Sequence, residues 1–162
     1  MEGFEELYGT YKGFSPSDAS PVSVGELEIK LNKDSMQLRM ATGLEIRTAE
    51  KQLADAKPLS RDYISQLYRE GNKNIDRTVG FEVDGMQYIF LKDPKRKEFA
   101  LLRIGGMSDS LGPTILYNSK QVEDGVYKRA LRKCGGKYVP SLESDGKVPE
   151  TKPKKRFFSF RK

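Results

Sequence analysis

The sequence predicts a mainly β protein with two helices, built on a strongly curved antiparallel sheet or a small closed barrel of about 7–8 strands. Three observations lead to this prediction. Thr78–Ile104 has the pattern of three consecutive strands joined by tight turns, and Met36–Ile46 alternates apolar and polar residues throughout. Helical periodicity is confined to two segments, so strands outnumber helices and are expected to pair with their sequence neighbours.

The meander Thr78–Ile104 has the clearest turn chemistry. Asp84-Gly85 is a two-residue sequence that suits a hairpin turn with positive φ at both positions. Such a turn predicts three facing pairs on one side of the sheet: Val79 with Phe90, Phe81 with Tyr88, and Val83 with Met86. Phe99–Ile104 is apolar on nearly both faces, and it is expected at the centre of the domain because such strands are covered on both sides.

The N-terminal half contributes three predicted strands. The first is Glu6–Phe14, and the second runs from Val22 to Leu31 with a β-bulge at Gly25, where the apolar phase slips. Met36–Ile46 is expected to be one bent strand of about 11 residues, with Gly43 permitting the bend.

Two helices are expected, near residues 60–70 and 119–134. Ser60 is a candidate N-cap for the first helix, and Asn118 or Ser119 for the second, which follows a strand at Thr114–Tyr117. Gly135-Gly136 is expected to end the second helix. The composition predicts a single domain over residues 1–143 and a disordered tail over 144–162, where Pro, Lys, Gly and Glu dominate.

Two known barrel families resemble this pattern. Gly9-Thr10-Tyr11 ahead of a meander resembles the lipocalin-like (calycin) barrels, and seven strands followed by a helix resemble the pleckstrin-homology-like barrel. Both resemblances are topological, extend over about Glu6–Cys134 and imply a barrel. The chain has no tryptophan, so it departs from both families at their characteristic tryptophan, and no functional residue is carried over.

The composition excludes several kinds of chemistry. The chain has no histidine, which removes histidine bases, Ser-His-Asp and Cys-His nucleophile pairs, and histidine zinc sites. A single cysteine removes thiolate metal clusters and internal disulfides, and it suits a reducing compartment. No catalytic residue, metal site or cofactor is therefore predicted. The acidic N-terminus has no apolar region typical of a signal peptide, and a cytoplasmic location is expected.

The body of the chain offers a few candidate ligand-binding residues. The glycine-rich loop Gly105–Pro113 could present backbone N–H groups and serine hydroxyls to an anion. Polar side chains on the strands could add to an apolar pocket inside a barrel, although tyrosine and arginine with solvated tips on a sheet are the alternative. The candidates are Arg39, Tyr88, Arg103, Ser108, Ser110 and Tyr117.

The excess positive charge lies at the C-terminus. The formal net charge is +6, and the last twelve residues hold six bases and no acid, so the rest of the chain is formally neutral. These bases alternate with three phenylalanines, a composition that suits an anionic membrane surface or single-stranded nucleic acid. A protein groove, or charge that only improves solubility, is the alternative. The predicted surface-binding residues are Lys152, Lys154, Lys155, Arg156, Phe157, Phe158, Phe160, Arg161 and Lys162.

Two classes of function fit these observations. The first is a non-enzymatic binding module, in which the barrel holds a small hydrophobic or amphipathic ligand or a partner segment while the tail docks to an anionic surface. The second is an enzyme that uses carboxylates or tyrosine in a barrel mouth, which requires two acids converging in one cleft. A nucleic-acid-binding accessory protein acting through the tail is a further alternative.

Overall fold

The computed structural model describes residues 4–15, 25–42, 45–67, 77–93, 95, 98–105, 114–134 and 142. Nine strands form one antiparallel sheet, which curls through 247° into a half-barrel and confirms the predicted fold class. The strands are β1 Gly9–Phe14, β2 Glu26–Leu31, β3 Ser35–Thr42, β4 Glu45–Gln52, β5 Lys57–Pro58, β6 Thr78–Val83, β7 Met86–Lys92, β8 Phe99–Ile104 and β9 Thr114–Asn118. The helices are α1 Arg61–Leu67, α2 Ser119–Glu123 and α3 Val126–Lys133, and two 3-10 turns span Glu5–Leu7 and Leu53–Asp55.

The strand order is β4-β3-β2-β1-β9-β8-β7-β6-β5, so two meanders are joined by the β1–β9 pair. Every neighbouring pair of strands is antiparallel, so strand direction alternates across the sheet. The two edge strands, β4 and β5, therefore run in the same direction. Only Leu53–Ala56 separates these two strands. Such a connection reaches at most about 19 Å, because consecutive Cα atoms are about 3.8 Å apart. The sheet must curl to bring its edges within that distance, and β4 and β5 act as one bent strand.

The meander β6–β7–β8 has the predicted register. Val79 faces Phe90, Phe81 faces Tyr88, and Val83 faces Met86. The turn residues Asp84 and Gly85 both have positive φ, 54° and 79°, as predicted. The meander does not hold the middle of the sheet, however, because β1 and β9 lie there and β8 flanks β9.

The interior of the half-barrel is apolar and occupied by side chains. The N-terminal segment Phe4–Leu7, here called the plug, packs into it, and the Phe4 ring meets Phe81 edge-on at 5.9 Å between centroids. The interior cluster consists of Phe4, Leu7, Tyr11, Leu27, Ile29, Leu31, Met36, Leu38, Leu53, Phe81, Val83, Tyr88, Phe90, Phe99, Leu102 and Leu116. The predicted first strand is thus partly wrong, since Glu5–Leu7 is a 3-10 turn and the strand begins at Gly9.

The prediction of one long strand over Met36–Ile46 is wrong. Thr42 pairs with Glu45, so β3 and β4 are the two arms of a hairpin. The two residues between them, Gly43-Leu44, lie outside the described residues, but glycine first in a two-residue connection is a hairpin signal. The alternation of apolar and polar residues continues past the chain reversal, because Ile46 is apolar. Ile46 nevertheless pairs with Ala41, and this pair lies on the outer face of the sheet.

The helices begin where their caps predict. The Tyr63 N–H donates to Ser60 Oγ at 3.2 Å at the start of α1. Asn118 caps α2 in a capping box with Gln121. The single helix predicted over 119–134 is two helices, because the chain leaves helical geometry at Gly125, whose φ is 80°.

A second apolar cluster lies outside the half-barrel, where α3 packs on the outer wall formed by β9, β1 and β2. Tyr127 of α3 is buried against Phe14 and Tyr117. Its O–H donates to Oε2 of Glu26, itself buried, at 2.5 Å. Lys12 lies over the Tyr127 ring at 6.0 Å. This wall is held by both apolar and polar contacts.

Candidate functional site

The most promising site is the end of the half-barrel that the plug covers. Antiparallel pairing brings the last residues of β7 and β9 to the same end as the first residues of β1, β6 and β8. Two adjacent clefts open there, and they share Glu6, Lys92 and Phe99.

The smaller cleft, called the apolar cleft, has a volume of about 140 Å³. Four of its residues supply apolar surface, while Arg77, Lys92 and Glu6 supply charge, with two cations against one acid. The full lining is Phe4, Glu6, Leu7, Arg77, Val79, Lys92 and Phe99. Apolar walls with a few charged groups are typical of sites for amphipathic ligands.

The larger cleft, called the polar cleft, has a volume of about 310 Å³. It adds Tyr11, Glu98 and Asn118 to the three shared residues. Its charged groups are two acids and one lysine, so the two clefts differ in the sign of their net charge.

Lys92 stands between the two clefts. Its Nζ lies 2.6 Å from Glu6 Oε2 and 2.9 Å from Oε1. The same ammonium lies 5.3 Å from the centroid of the Phe99 ring, within the range of a cation–π contact. A bulge in β8 shifts the register beside Lys92, so that Lys92 faces Phe99. The ammonium is therefore fixed over an aromatic surface by a carboxylate.

Tyr11 ties the plug to the sheet. Its O–H donates to the Leu7 carbonyl oxygen at 3.0 Å in a buried hydrogen bond. Burial raises the pKa of Tyr11, and the negative charge of Glu98 raises it further. The phenol is consequently protonated at neutral pH and acts as a hydrogen-bond donor.

The structure does not bring together the four predicted ligand-binding residues that it describes. Tyr88 lies in the interior at 1% exposure, where burial and then the Asp84 carboxylate raise its pKa. Arg39, Arg103 and Tyr117 lie on the outer face. Ser108 and Ser110 lie outside the described residues, as do all the predicted surface-binding residues of the C-terminal segment.

The outer-face residues have their own contacts. Arg39 forms an ion pair with Glu28 at 2.8 Å, and its other terminal nitrogen donates to the Leu142 carbonyl at 3.0 Å. Tyr117 stacks on Phe14 with ring centroids 5.8 Å apart. Arg103 lies opposite Ile89 in the β7–β8 pair. These arrangements hold the wall together and do not form a shared pocket.

The residues of the two end clefts were missed by the sequence prediction. One signal was present, since Tyr88, Phe90 and Lys92 share a phase and a charged residue ending an apolar phase indicates a barrel mouth. The contributions of Glu6 and Glu98 had no such signal, because they come from a 3-10 turn and a loop.

Within the described ranges, no group of three or more Cys, Asp or Glu side chains is placed to hold a metal ion. Among the described helices, none is long and apolar enough to cross a membrane. Comparison of the chain with protein-family models, curated proteins and solved structures finds no match. The resemblances to the lipocalin-like and pleckstrin-homology-like barrels therefore stay predictions.

Proposed function

We propose that this is a non-enzymatic binding protein of the cytoplasm, whose half-barrel binds a small amphipathic ligand at the end covered by the plug. Its basic, aromatic C-terminal segment docks the domain to an anionic surface. The observation that carries the ligand proposal is the apolar cleft, where two cations and one acid lie among apolar walls. Because the interior is filled by side chains, the ligand binds at this end and not in the lumen.

The charges of the apolar cleft favour an anionic head group. Lys92 and Arg77 line it together, and Glu6 is the only acid among its lining residues. The Glu6 side chain is 65% exposed, so it can turn to solvent and leave Lys92 to a ligand carboxylate. The apolar part of the ligand then contacts Phe99 and Val79. A medium-chain carboxylate has the required chemistry.

The test compares three ligands of equal chain length with different head groups. Octanoate, octylamine and octanol are titrated into ¹⁵N-labelled protein, and amide shifts are followed at the barrel end. Octanoate is expected to bind at least about tenfold more tightly than octanol, since a hydrogen bond to a charged group contributes about 1.5 kcal/mol. Octanoate binding no tighter than octanol would contradict the proposed anion preference.

Lys92→Met isolates the ammonium, because methionine keeps an apolar stem of similar length. It is expected to remove most of the preference for octanoate while leaving octanol binding within about twofold. Lys51→Met is a matched control. Lys51 also lies on a strand, is 22% exposed against 26% for Lys92, and pairs with Asp84 at 3.3 Å. Equal effects of the two substitutions would show that the cleft is not the binding site.

An enzyme is the second candidate, and one observation favours it. Glu6, Glu98 and Tyr11 line the polar cleft together. However, Glu6 is ion-paired to Lys92 and Glu98 is exposed, whereas a general acid needs burial that keeps its carboxyl protonated. A crystal structure of the protein tests this. Glu6 and Glu98 turned away from solvent and directed into one cleft would make the enzyme the better proposal.

A further inference from the structure

We propose that the free edge of β4 pairs with β4 of a second copy of this chain. The two strands run antiparallel about a twofold axis, with Thr48 opposite Thr48 of the copy, and the pairing joins two half-barrels into one continuous sheet. No β4 residue is among the lining residues of the two end clefts. This inference therefore goes beyond the proposed function and does not depend on it.

The two edges of the sheet differ in how well they are protected. The β5 edge has only two residues, one of them Pro58, which has no backbone N–H to donate. The Leu59 N–H then donates to the Gly80 carbonyl oxygen at 3.0 Å, which covers β6 further along. The β4 edge is eight residues long, contains no proline or glycine and keeps an unbroken register with β3. Among the residues that the structure describes, no strand pairs with the outer edge of β4, and such a long, regular edge is a template for another chain.

The backbone groups on the free edge belong to the even-numbered residues of β4. The Leu53 N–H donates to the Asp34 carbonyl oxygen at 2.9 Å, which marks a hydrogen-bonded pair just beyond the end of the β3–β4 ladder. Hydrogen-bonded pairs recur at every second residue of antiparallel strands, so the odd-numbered residues of β4 bond β3. Ile46, Thr48 and Glu50 therefore direct their N–H and C=O groups away from β3. A second strand can bond all three.

Twofold symmetry limits the registers in which two copies of β4 can pair. Hydrogen-bonded and non-hydrogen-bonded pairs alternate along the strands, and each pair must be of the same type as its symmetry mate. This condition is met only where one residue lies opposite itself. Four such registers pair at least five residues of each strand, and they are centred on Arg47, Thr48, Ala49 or Glu50. The registers centred on Arg47 and on Glu50 place that charge opposite its own copy, which is destabilising.

The charges of β4 decide between the two remaining registers. The register centred on Ala49 places Arg47 opposite Lys51 of the copy, which again opposes like charges. The register centred on Thr48 places Glu45 opposite Lys51 of the copy, once at each end of the paired segment. Both are non-hydrogen-bonded pairs, in which the Cα atoms are about 4.5 Å apart and the side chains are closest. Charge complementarity therefore selects the Thr48 register.

The charged side chains of β4 can leave their present partners. Glu45 pairs with Arg47 at 2.9 Å, and the two side chains are 67% and 73% exposed. Lys51 pairs with Asp84 at 3.3 Å, where Asp84 is 61% exposed. Ion pairs of this kind contribute little in water, so exchanging them for pairs across the two copies costs little. Charges on an edge strand commonly prevent pairing, and here they exclude the other registers.

Sedimentation velocity of the full-length chain from about 10 µM to about 500 µM tests self-pairing, because one pair of edge strands is a small interface and the dimer is expected to be weak. The wild type is expected to shift from monomer towards dimer over this range. Lys51→Glu opposes two like charges at each of two symmetry-related sites, as does Glu45→Lys. Each site is expected to lose about tenfold, so either variant should dimerise about 100-fold more weakly.

Combining the two substitutions provides a rescue that depends on the register. A chain carrying both Glu45→Lys and Lys51→Glu again has opposite charges at both sites, and its dimerisation should return to within about threefold of the wild type. An equimolar mixture of the two single variants should form a heterodimer for the same reason. Lys33→Glu is the matched control, since it makes the same charge change at an exposed residue of the β2–β3 turn and should leave dimerisation unchanged.

Proline substitutions test the backbone phase independently of charge. Thr48→Pro removes an N–H from the centre of the proposed pairing but none of the hydrogen bonds to β3. It should abolish the dimer while keeping the circular dichroism spectrum and nearly the same thermal midpoint. Ala49→Pro removes an N–H that bonds β3, and it should lower the midpoint clearly. Equal thermal midpoints of the two proline variants would contradict the assigned phase.

The remaining outcomes are also decisive. A wild type that stays monomeric at about 500 µM would overturn the inference and show that the charges protect the edge. A dimer that survives Thr48→Pro and both single charge reversals would lie on another surface. Charge reversals that weaken the dimer without rescue by the double variant would show the register to be wrong. If the wild type is monomeric but an extended peptide of alternating threonine and valine shifts the β4 amides, the occupant is a peptide and self-pairing is wrong. None of these results bears on octanoate binding at the barrel end.

Discussion

Replacing Leu7 by alanine tests whether the plug is part of the core. Leu7 has 0% exposure and belongs to the interior cluster. The substitution removes about three methylene equivalents, each contributing about 0.8 kcal/mol when buried. Leu→Ala changes in cores cost about 2–5 kcal/mol once the cavity is included. Because Leu7 also lines the apolar cleft, water and neighbouring groups can relax into the space, and a cost of about 3 kcal/mol is expected.

Urea denaturation followed by circular dichroism measures this cost, and an unchanged slope would show that both states keep their compactness. The thermal midpoint should fall by about 6–12 °C, since about 2–4 °C corresponds to 1 kcal/mol in a chain of this size. Tyr63→Ala, at a 38% exposed residue of α1, is the control and should cost about 0.5 kcal/mol or less. A cost for Leu7→Ala as small as that of the control would refute the packing of the plug. Added octanoate should restore part of the loss by mass action.

Three further predictions concern the sheet and its walls. A Cβ at Gly13 would lie 2.6 Å from a backbone oxygen of β9, so Gly13→Ala should lower the free energy of unfolding by about 2–3 kcal/mol. Gly85 has open space around it but a positive φ, so Gly85→Ala should lower it by only about 1 kcal/mol. Similar urea midpoints for the two variants would contradict the β1–β9 register. Tyr127→Phe should cost about 1–3 kcal/mol by removing a buried donor to Glu26, and a double-mutant cycle with Glu26→Gln should show coupling above about 0.5 kcal/mol. Tyr11 has a raised pKa in the folded state, so its contribution to the free energy of unfolding should be fully present below pH 10.0 and be lost as the pH rises through the raised value. Tyr11→Phe should flatten this loss of stability. A parallel decline in the wild type and the variant would contradict the assignment of the loss to Tyr11.

Residues close in sequence were predicted well, because local chemistry decides them. Asp84-Gly85 set the turn and hence the register of β6 and β7, and Ser60 and Asn118 set two helix starts. The same local signals failed at Gly43-Leu44, where an apolar Ile46 continued the alternation across a chain reversal. Periodicity reports which residues share a phase, and it does not report whether the chain has turned.

The candidate site could not be predicted in the same way. The residues around Lys92 come from the plug, four other strands and two positions outside the strands, and they meet because β1 pairs with β9 across about a hundred residues of sequence. The sequence pattern gave Tyr88 and Tyr117 the same interpretation, as strand tyrosines with a solvated hydroxyl. In the structure, Tyr88 lies in the interior and Tyr117 lies under a helix. Their placement depends on which face of the sheet curls inward.

The sequence by itself determined the β-rich class, the Asp84-Gly85 turn, the helix caps at Ser60 and Asn118 and the absence of histidine chemistry, since these depend on residue type and spacing alone. Only the tertiary structure decided that the edges approach through Leu53–Ala56 and that the plug fills the interior. Both features arise because the sheet curls. Curling brings distant residues together through the closure of long loops and the burial of apolar area. Neither quantity can be read from a local pattern.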